Sequence, residues 1–246
     1  MATLIAHRGS SIEAPENTLA SIQRAIEHQV DYIEIDIQLT KDLVPIIFHD
    51  STTGRTTDCK QNAPIELMTL RDFEMLDAGS WFHKDYAGEK VPTLAQVLQL
   101  DFRTSNLMLE IKKGNHPVDI IVERVLQTLF EAHNPSLLEH CLIGSFDHRI
   151  IERINKCYPH LKVKGIVETH AMLPPFLLMS VNHITFHYKL VNPSLVADLH
   201  AQNKKVWAYT IDERSICERL LSMNVDGIIT NDPRNIGKLL RCTTRV

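Results

Sequence analysis

Tyr32-Ile33-Glu34-Ile35-Asp36-Ile37-Gln38 alternates aliphatic and acidic residues with a period of two. That period is the geometry of a β-strand, whose successive side chains leave on opposite faces. Ile33, Ile35 and Ile37 share one face, suited to packing beneath helices, and Glu34 and Asp36 share the other. Two carboxylates turned into the interior of a barrel repel one another and lose solvation. A cation between them relieves both costs. For Glu-x-Asp alone the ordinary reading is a polar strand end with water or a salt-bridge partner, so its weight depends on what stands beside it.

Outward from this stretch, short β-branched runs alternate with helical patterns, the signature of repeated βαβ units. The expected strands are Thr3–Ala6, Tyr32–Gln38, Pro45–Phe48, Leu107–Ile111, Cys141–Ser145, Lys162–Val167, His183–Phe186, Val206–Thr210 and Gly227–Thr230. Between them, sets such as Val118, Ile121, Val122, Val125, Leu126 and Leu129 recur at helical spacing. Pro117, Pro193 and Pro233 stand where a first helical residue is expected, and Asp147 and Asp212 where a cap is. Eight strand–helix units in 246 residues fit a closed (β/α)8 TIM barrel, read here as a single domain over 1–246. One segment, about 51–92, is longer than an ordinary loop and carries isolated aromatics. It reads as a small insertion after the second unit, on the side where loops build a site.

Composition narrows the function classes. A net charge of -4 argues against a nucleic-acid partner, which needs a basic excess. Five scattered cysteines with no CxxC spacing suggest neither a zinc site nor a disulfide framework, and point to reduced thiols in a cytoplasm. Leu4-Ile5-Ala6 runs at once into His7-Arg8-Gly9, leaving no room for the apolar core of a secretory signal. The apolar stretch 172–181 is broken by Pro174-Pro175 and too short to span a bilayer, so stable membrane insertion is not expected. Oligomeric state leaves no trace in the sequence.

The chemistry-bearing residues fall at strand ends. Glu110 closes Leu107–Ile111 and adds a third carboxylate to Glu34 and Asp36, with Lys112 two places on as a fixed positive charge. Glu-x-Lys is common and usually solvated; three carboxylates at the ends of neighbouring strands are not. Ligation by oxygen alone favours one hard divalent cation, Mg2+ or Ca2+. His7 follows the first strand and His49 follows Ile46-Ile47-Phe48. At the C-terminal ends of barrel strands, such a pair can act as acid and base across a phosphodiester. Any one of the 13 histidines is more often structural, and only position raises these two. Arg8 is a natural partner for a phosphate oxygen, and Gly9 lets the backbone come close.

In this order, the residues resemble the glycerophosphodiester phosphodiesterase family. The resemblance rests on His7-Arg8-Gly9 with Pro15-Glu16-Asn17-Thr18, then Ile33-Glu34-Ile35-Asp36, His49-Asp50 with Arg55-Thr56-Thr57, and Glu110-Ile111-Lys112. Near the end, Trp207-Ala208-Tyr209-Thr210 and Asp226-Gly227-Ile228-Ile229-Thr230-Asn231-Asp232-Pro233 extend it over essentially the whole chain. Asp77-Ala78-Gly79-Ser80-Trp81-Phe82 looks like the short cytosolic bacterial members. Gln29-Val30-Asp31, Leu43 and Asn203 depart from the family's glycine-rich pattern without touching a proposed ligand.

The resemblance implies metal-dependent hydrolysis of a small glycerophosphodiester to glycerol 3-phosphate and an alcohol such as choline, ethanolamine or glycerol. It implies metal ligation by Glu34, Asp36 and Glu110, His7 and His49 as the acid–base pair, phosphate held by Arg8 and Lys112, and Trp207 against the glycerol portion; either histidine can be the acid, and the working assignment is His7 as acid and His49 as base. A similar His and Lys in short relatives nominate His187 and Lys189 as further substrate contacts. Glu168, after the fifth strand, reads equally as a helix cap. Two rivals are a lysophospholipase D-like lipid phosphodiesterase, with 173–178 as its apolar lip, and a non-catalytic barrel that binds a glycerophosphodiester.

Overall fold

Period-two runs become strands and period-3.6 runs become helices throughout the computed structural model, which describes residues 2–243. The strands are β1 (Thr3–His7), β2 (Tyr32–Leu39), β3 (Pro45–Ile47), β4 (Asn106–Ile111), β5 (Leu142–Ser145), β6 (Lys162–Val167), β7 (His183–His187), β8 (Lys205–Tyr209) and β9 (Gly227–Thr230). Eight of these run parallel in the order β1-β2-β4-β5-β6-β7-β8-β9, and β9 pairs back onto β1 to close a TIM barrel. β3 is the exception. It pairs antiparallel with the end of β2, Ile37 opposite Ile47 and Leu39 opposite Pro45, so it is a hairpin arm outside the ring.

The helices are α1 (Leu19–Glu27), α2 (Leu70–Glu74), α3 (Leu94–Val97), α4 (Val118–Glu131), α5 (Pro135–His140), α6 (His148–Cys157), α7 (Leu173–Leu177), α8 (Pro193–Ala201), α9 (Arg214–Ser222) and α10 (Pro233–Thr243), and all but α2, which belongs to the insertion, clothe the ring. Ile33, Ile35 and Ile37 lie in the outer core with the α4 face Ile121, Val122, Val125, Leu126 and Leu129. A smaller cluster, Ile5, Met108, Leu142, Ile166, Trp207 and Ile229, fills the barrel itself.

Pro193 and Pro233 begin their helices, and Asp147 caps α6 through Arg149 N. Pro117 is the cap of α4, one place earlier than expected. Asp212 is a correction: Glu213 holds the cap position of α9. The Asp212 carboxylate is committed instead to Thr230 Oγ1 and to the backbone and side-chain N–H of Asn231.

The insertion leaves after β3 and returns into α3, with a core of its own built from Ile46, Phe48, Ile65, Met68, Phe73, Ala78 and Val91. Tyr86 and Arg55 are among the residues that tie it to the barrel mouth. Tyr86 Oη donates to the Glu13 carbonyl at 2.7 Å. Arg55 spans Glu16 and Asp50, with contacts of 2.6 to 2.9 Å.

Candidate active site

At the top of β1 the chain reverses through two residues in the left-handed region, Arg8 (φ 58°) and Gly9 (φ 80°). Glycine is required at the second, because a Cβ there would stand 2.5 Å from the Ser21 backbone carbon. The reversal aims the Arg8 N–H at Glu34 Oε2, 2.9 Å away. It also lets the Arg8 guanidinium reach Glu16 at 2.7 Å and Asp36 at 3.2 Å.

Strand register assembles the carboxylates. His7 is paired with Glu34, and Asp36 with Glu110, across adjacent strands. One oxygen each of Glu34, Asp36 and Glu110 lies within 4.8 Å of the others, and the three residues are 1%, 1% and 8% exposed. Asn17 fixes Asp36 from both sides, its Nδ2 donating to Oδ2 and its Oδ1 accepting from the Asp36 backbone N–H. Lys112 Nζ stands 2.8 Å from Asp36 Oδ1 and also pairs with Glu110. Burial, reinforced by Asp36 and Glu110, pushes the Glu34 carboxyl well above the usual range. Burial raises Glu110 too, although Lys112 opposes it. At Asp36 burial acts the same way but is overcome by Lys112 and Arg8, which hold it low.

Glu34 Oε1 is buried and makes no hydrogen bond. Converging anionic oxygens, a raised carboxyl and an orphaned acceptor are the features a hard divalent cation satisfies. The residues present fit such an ion.

Two histidines flank the cluster. Asn231 donates its amide to Asp212, which turns its Oδ1 toward His7 Nδ1 at 2.7 Å. An amide oxygen only accepts, so His7 carries its proton on Nδ1 and presents a bare Nε2. Burial, then Arg8, brings His7 down to about 4, so it is neutral near pH 7. His49 Nδ1 meets Asp50 Oδ1 at 2.6 Å, leaving its Nε2 bare as well. Burial lowers His49, helped by Lys112 and Arg8 and opposed by Asp36 and Asp50.

These groups open on a cavity of about 380 Å³. Its charged lining, His7, Arg8, Glu34, His49, Glu110 and Lys112, comes from one side of the mouth, where β1, β2 and β4 stand. Its remaining wall, including Phe146, Ile166, Glu168, Met172, Thr185 and Tyr209, comes from the ends of β5 through β8. Asp36 sits beneath the charged side as part of the carboxylate cluster.

Three expected contacts lie elsewhere. Trp207 is 1% exposed, belongs to the cluster inside the barrel and is not among the residues that line the cavity. Its inward phase on β8 puts it a layer below Tyr209, in space left by Gly227, where a Cβ would come within 2.5 Å of the indole. His187 stacks against Tyr188 and meets Tyr209 edge-on, and Lys189 lies over Tyr188; neither lines the cavity. Glu168 does line it, while Thr169 occupies the cap position of the following 3-10 turn. Of the apolar run 173–178, Phe176 is buried against Gly165 and Leu178 is 90% exposed.

Beneath the cluster stands a group not singled out from the sequence. Lys164 is fully buried, its Nζ 3.2 Å from Met108 Sδ and 4.2 Å from the centre of the Trp207 ring. Gly144 makes the space, since a Cβ there would lie 3.0 Å from Lys164 Cγ. Burial brings this ammonium down to about 7 against the attraction of Glu34 and Glu110.

A parallel barrel whose catalytic-type groups gather at the C-terminal ends of its strands defines an enzyme of the TIM-barrel class. The model of the glycerophosphoryl diester phosphodiesterase family matches residues 7–235, and the chain belongs to that family. A glycerophosphodiester phosphodiesterase of Caldanaerobacter subterraneus subsp. tengcongensis is 35% identical over 244 residues, covering 97% of each chain. One from Bacillus subtilis is 30% identical over 248 residues, covering 93% of this chain and 83% of that one. Among solved structures, an Oleispira antarctica phosphodiesterase in complex with the product sn-glycerol-3-phosphate superposes with a TM-score of 0.91. It is 28% identical, with 98% of this chain and 97% of that one covered.

Proposed function

We propose that this chain, acting as one catalytic unit, hydrolyses small glycerophosphodiesters to glycerol 3-phosphate and an alcohol of the choline, ethanolamine or glycerol kind. The observation that carries the reading is the convergence of Glu34, Asp36 and Glu110 within 4.8 Å beneath two histidines. Glu34, Asp36 and Glu110 would hold one divalent cation, Mg2+ or Ca2+. When bound, that ion supplies Lewis-acid neutralisation of charge on the phosphate. The protein's own groups account for the rest. Arg8 and Lys112 draw the phosphate into the mouth and stabilise the charge that builds at phosphorus. His49, steadied by Asp50, takes the proton from the attacking oxygen at its free Nε2. His7, oriented by Asn231, returns a proton to the leaving alcohol. Burial and then Arg8 keep it neutral in the free site, so the proton it delivers from Nε2 is taken up from solvent when the anionic substrate binds. Five free cysteines agree with a reducing, cytoplasmic setting. A binding-only barrel has no need of two oriented histidines, which favours catalysis.

The test is release of glycerol 3-phosphate from glycerophosphodiesters, with and without a chelator. Release that chelator abolishes and Mg2+ or Ca2+ restores is the expected result. Chelator-resistant release would overturn the cation site, and no release from any diester would overturn the activity.

A further inference from the structure

The cavity wall on the β5–β8 side is unlike a site for a sugar-like alcohol. Phe146 and Tyr209 meet edge to face, with centroids 6.1 Å apart and planes at 83°, and form an aromatic corner. Met172 and Ile166 continue the apolar surface. Hydrogen-bonding capacity is sparse. The Thr185 hydroxyl lies buried at the floor, Thr210 stands at the edge, and the Tyr209 hydroxyl donates to the Val167 carbonyl at 3.4 Å. The single formal charge on this wall is Glu168. It is exposed, lies close enough to Tyr209 to help raise the phenol, and has no hydrogen-bond or ion-pair partner among the described residues.

Phe146 already carries one cation. Lys112 Nζ is 5.6 Å from its ring centre, and that charge is matched by Asp36 and Glu110. A phosphodiester has two arms. With the phosphate on the β1–β4 side, one arm must cross to this corner.

We infer that Phe146, Tyr209 and Glu168 form a specificity cage for a quaternary-ammonium alcohol, making the choline ester the favoured diester. The inference rests on the glycerophosphodiesterase reading above. Aromatic rings with an unpaired carboxylate attract a methylated ammonium without needing hydrogen-bond acceptors. A primary ammonium wants several acceptors and finds one free carboxylate. An acyl chain would have to lie against that carboxylate.

The experiment compares kcat/KM for glycerophosphocholine, glycerophosphoethanolamine and glycerophosphoglycerol. It uses the cation-loaded wild type, Phe146→Leu and Glu168→Gln. Because Glu168 is exposed, Glu168→Gln keeps the fold even where Phe146→Leu does not. Choline binding is measured in parallel by calorimetry.

The wild type should favour glycerophosphocholine by about ten-fold over either neighbour, the span expected for a cation at an aromatic face. Both variants should lose more on the choline ester than on the glycerol ester, chiefly through KM. Equal kcat/KM for the three small diesters, or equal losses in the variants, would each overturn the cage. A wild type that cleaves none of them removes the activity reading and leaves the cage to calorimetry. Saturable choline binding weakened in both variants then supports the cage, and absence of binding overturns it.

Discussion

Replacing Lys164 by methionine should stabilise this protein at neutral pH. Lys164 is sealed inside the barrel with a thioether sulfur and an indole ring for company. Its fall from the ordinary lysine value of 10.5 to about 7 corresponds to about 5 kcal/mol of differential cost for the charged form. The folded value lies below the unfolded one. The unfolded chain therefore binds more protons between these two values, and stability rises with pH across that window. At pH 7, close to the folded value, the cost is still about 4 kcal/mol.

Methionine keeps most of the volume and removes the charge. It forfeits the contact with the Trp207 ring, worth about 2 kcal/mol when desolvated. A net gain of about 2 kcal/mol at pH 7 is expected, shrinking as pH approaches 10. The assay is urea unfolding of both proteins at pH 7, 8.5 and 10, with the slope checked for two-state behaviour. A variant less stable than wild type at pH 7, or one whose stability gap does not close as pH rises, would refute the reasoning. It would mean that the ammonium is held by stronger partners than those found around it.

Three further outcomes are expected. Alanine at His7 or at Glu34 should lower kcat by about 10²- to 10⁴-fold, the usual contribution of a positioned acid–base group or its equivalent; turnover near wild type in both would remove these residues from the reaction. The acid limb of kcat/KM should fall below the ordinary histidine value of 6.5, because His49 is held low and stays unprotonated to lower pH. Asp50→Asn should move that limb further down and slow turnover, and a limb above 6.5 in the wild type would contradict the role. Gly227→Ala should cost about 1–3 kcal/mol through overpacking, since its methyl would meet Trp207 at 2.5 Å; unchanged thermal unfolding would show the indole free to shift.

Strand phase made much of this legible. The alternation that opened the reading sends Glu34 and Asp36 inward and Ile33, Ile35 and Ile37 outward, as found. The same rule applied to Lys162–Val167 puts Lys164 and Ile166 in the interior, so the buried lysine was available from the pattern. A lysine in a strand is usually solvated, so the pattern alone does not mark Lys164 as unusual. Phase also places Trp207 inward and one layer below Tyr209, away from the cavity lining. Pairing direction was less accessible. β3 turns back on β2 through a tight turn with Leu43 at φ 63°, and nothing in its own three residues records that orientation. Least accessible were the groups that aim the histidines. Asn231 and His7 are 224 residues apart and meet only because β9 closes onto β1.

The division of the mouth into two sides has a counterpart along the chain. Each charged residue lining the cavity except Glu168 lies between His7 and Lys112, and apart from Met108 the aromatic and apolar lining begins at Phe146. On the proposed reading, reaction and selectivity are written in successive halves of one polypeptide, with Asn231 reaching back from the second half to hold His7. Recombination that kept the first half and that asparagine, and exchanged what lies between, would inherit the chemistry while acquiring a new taste in alcohols.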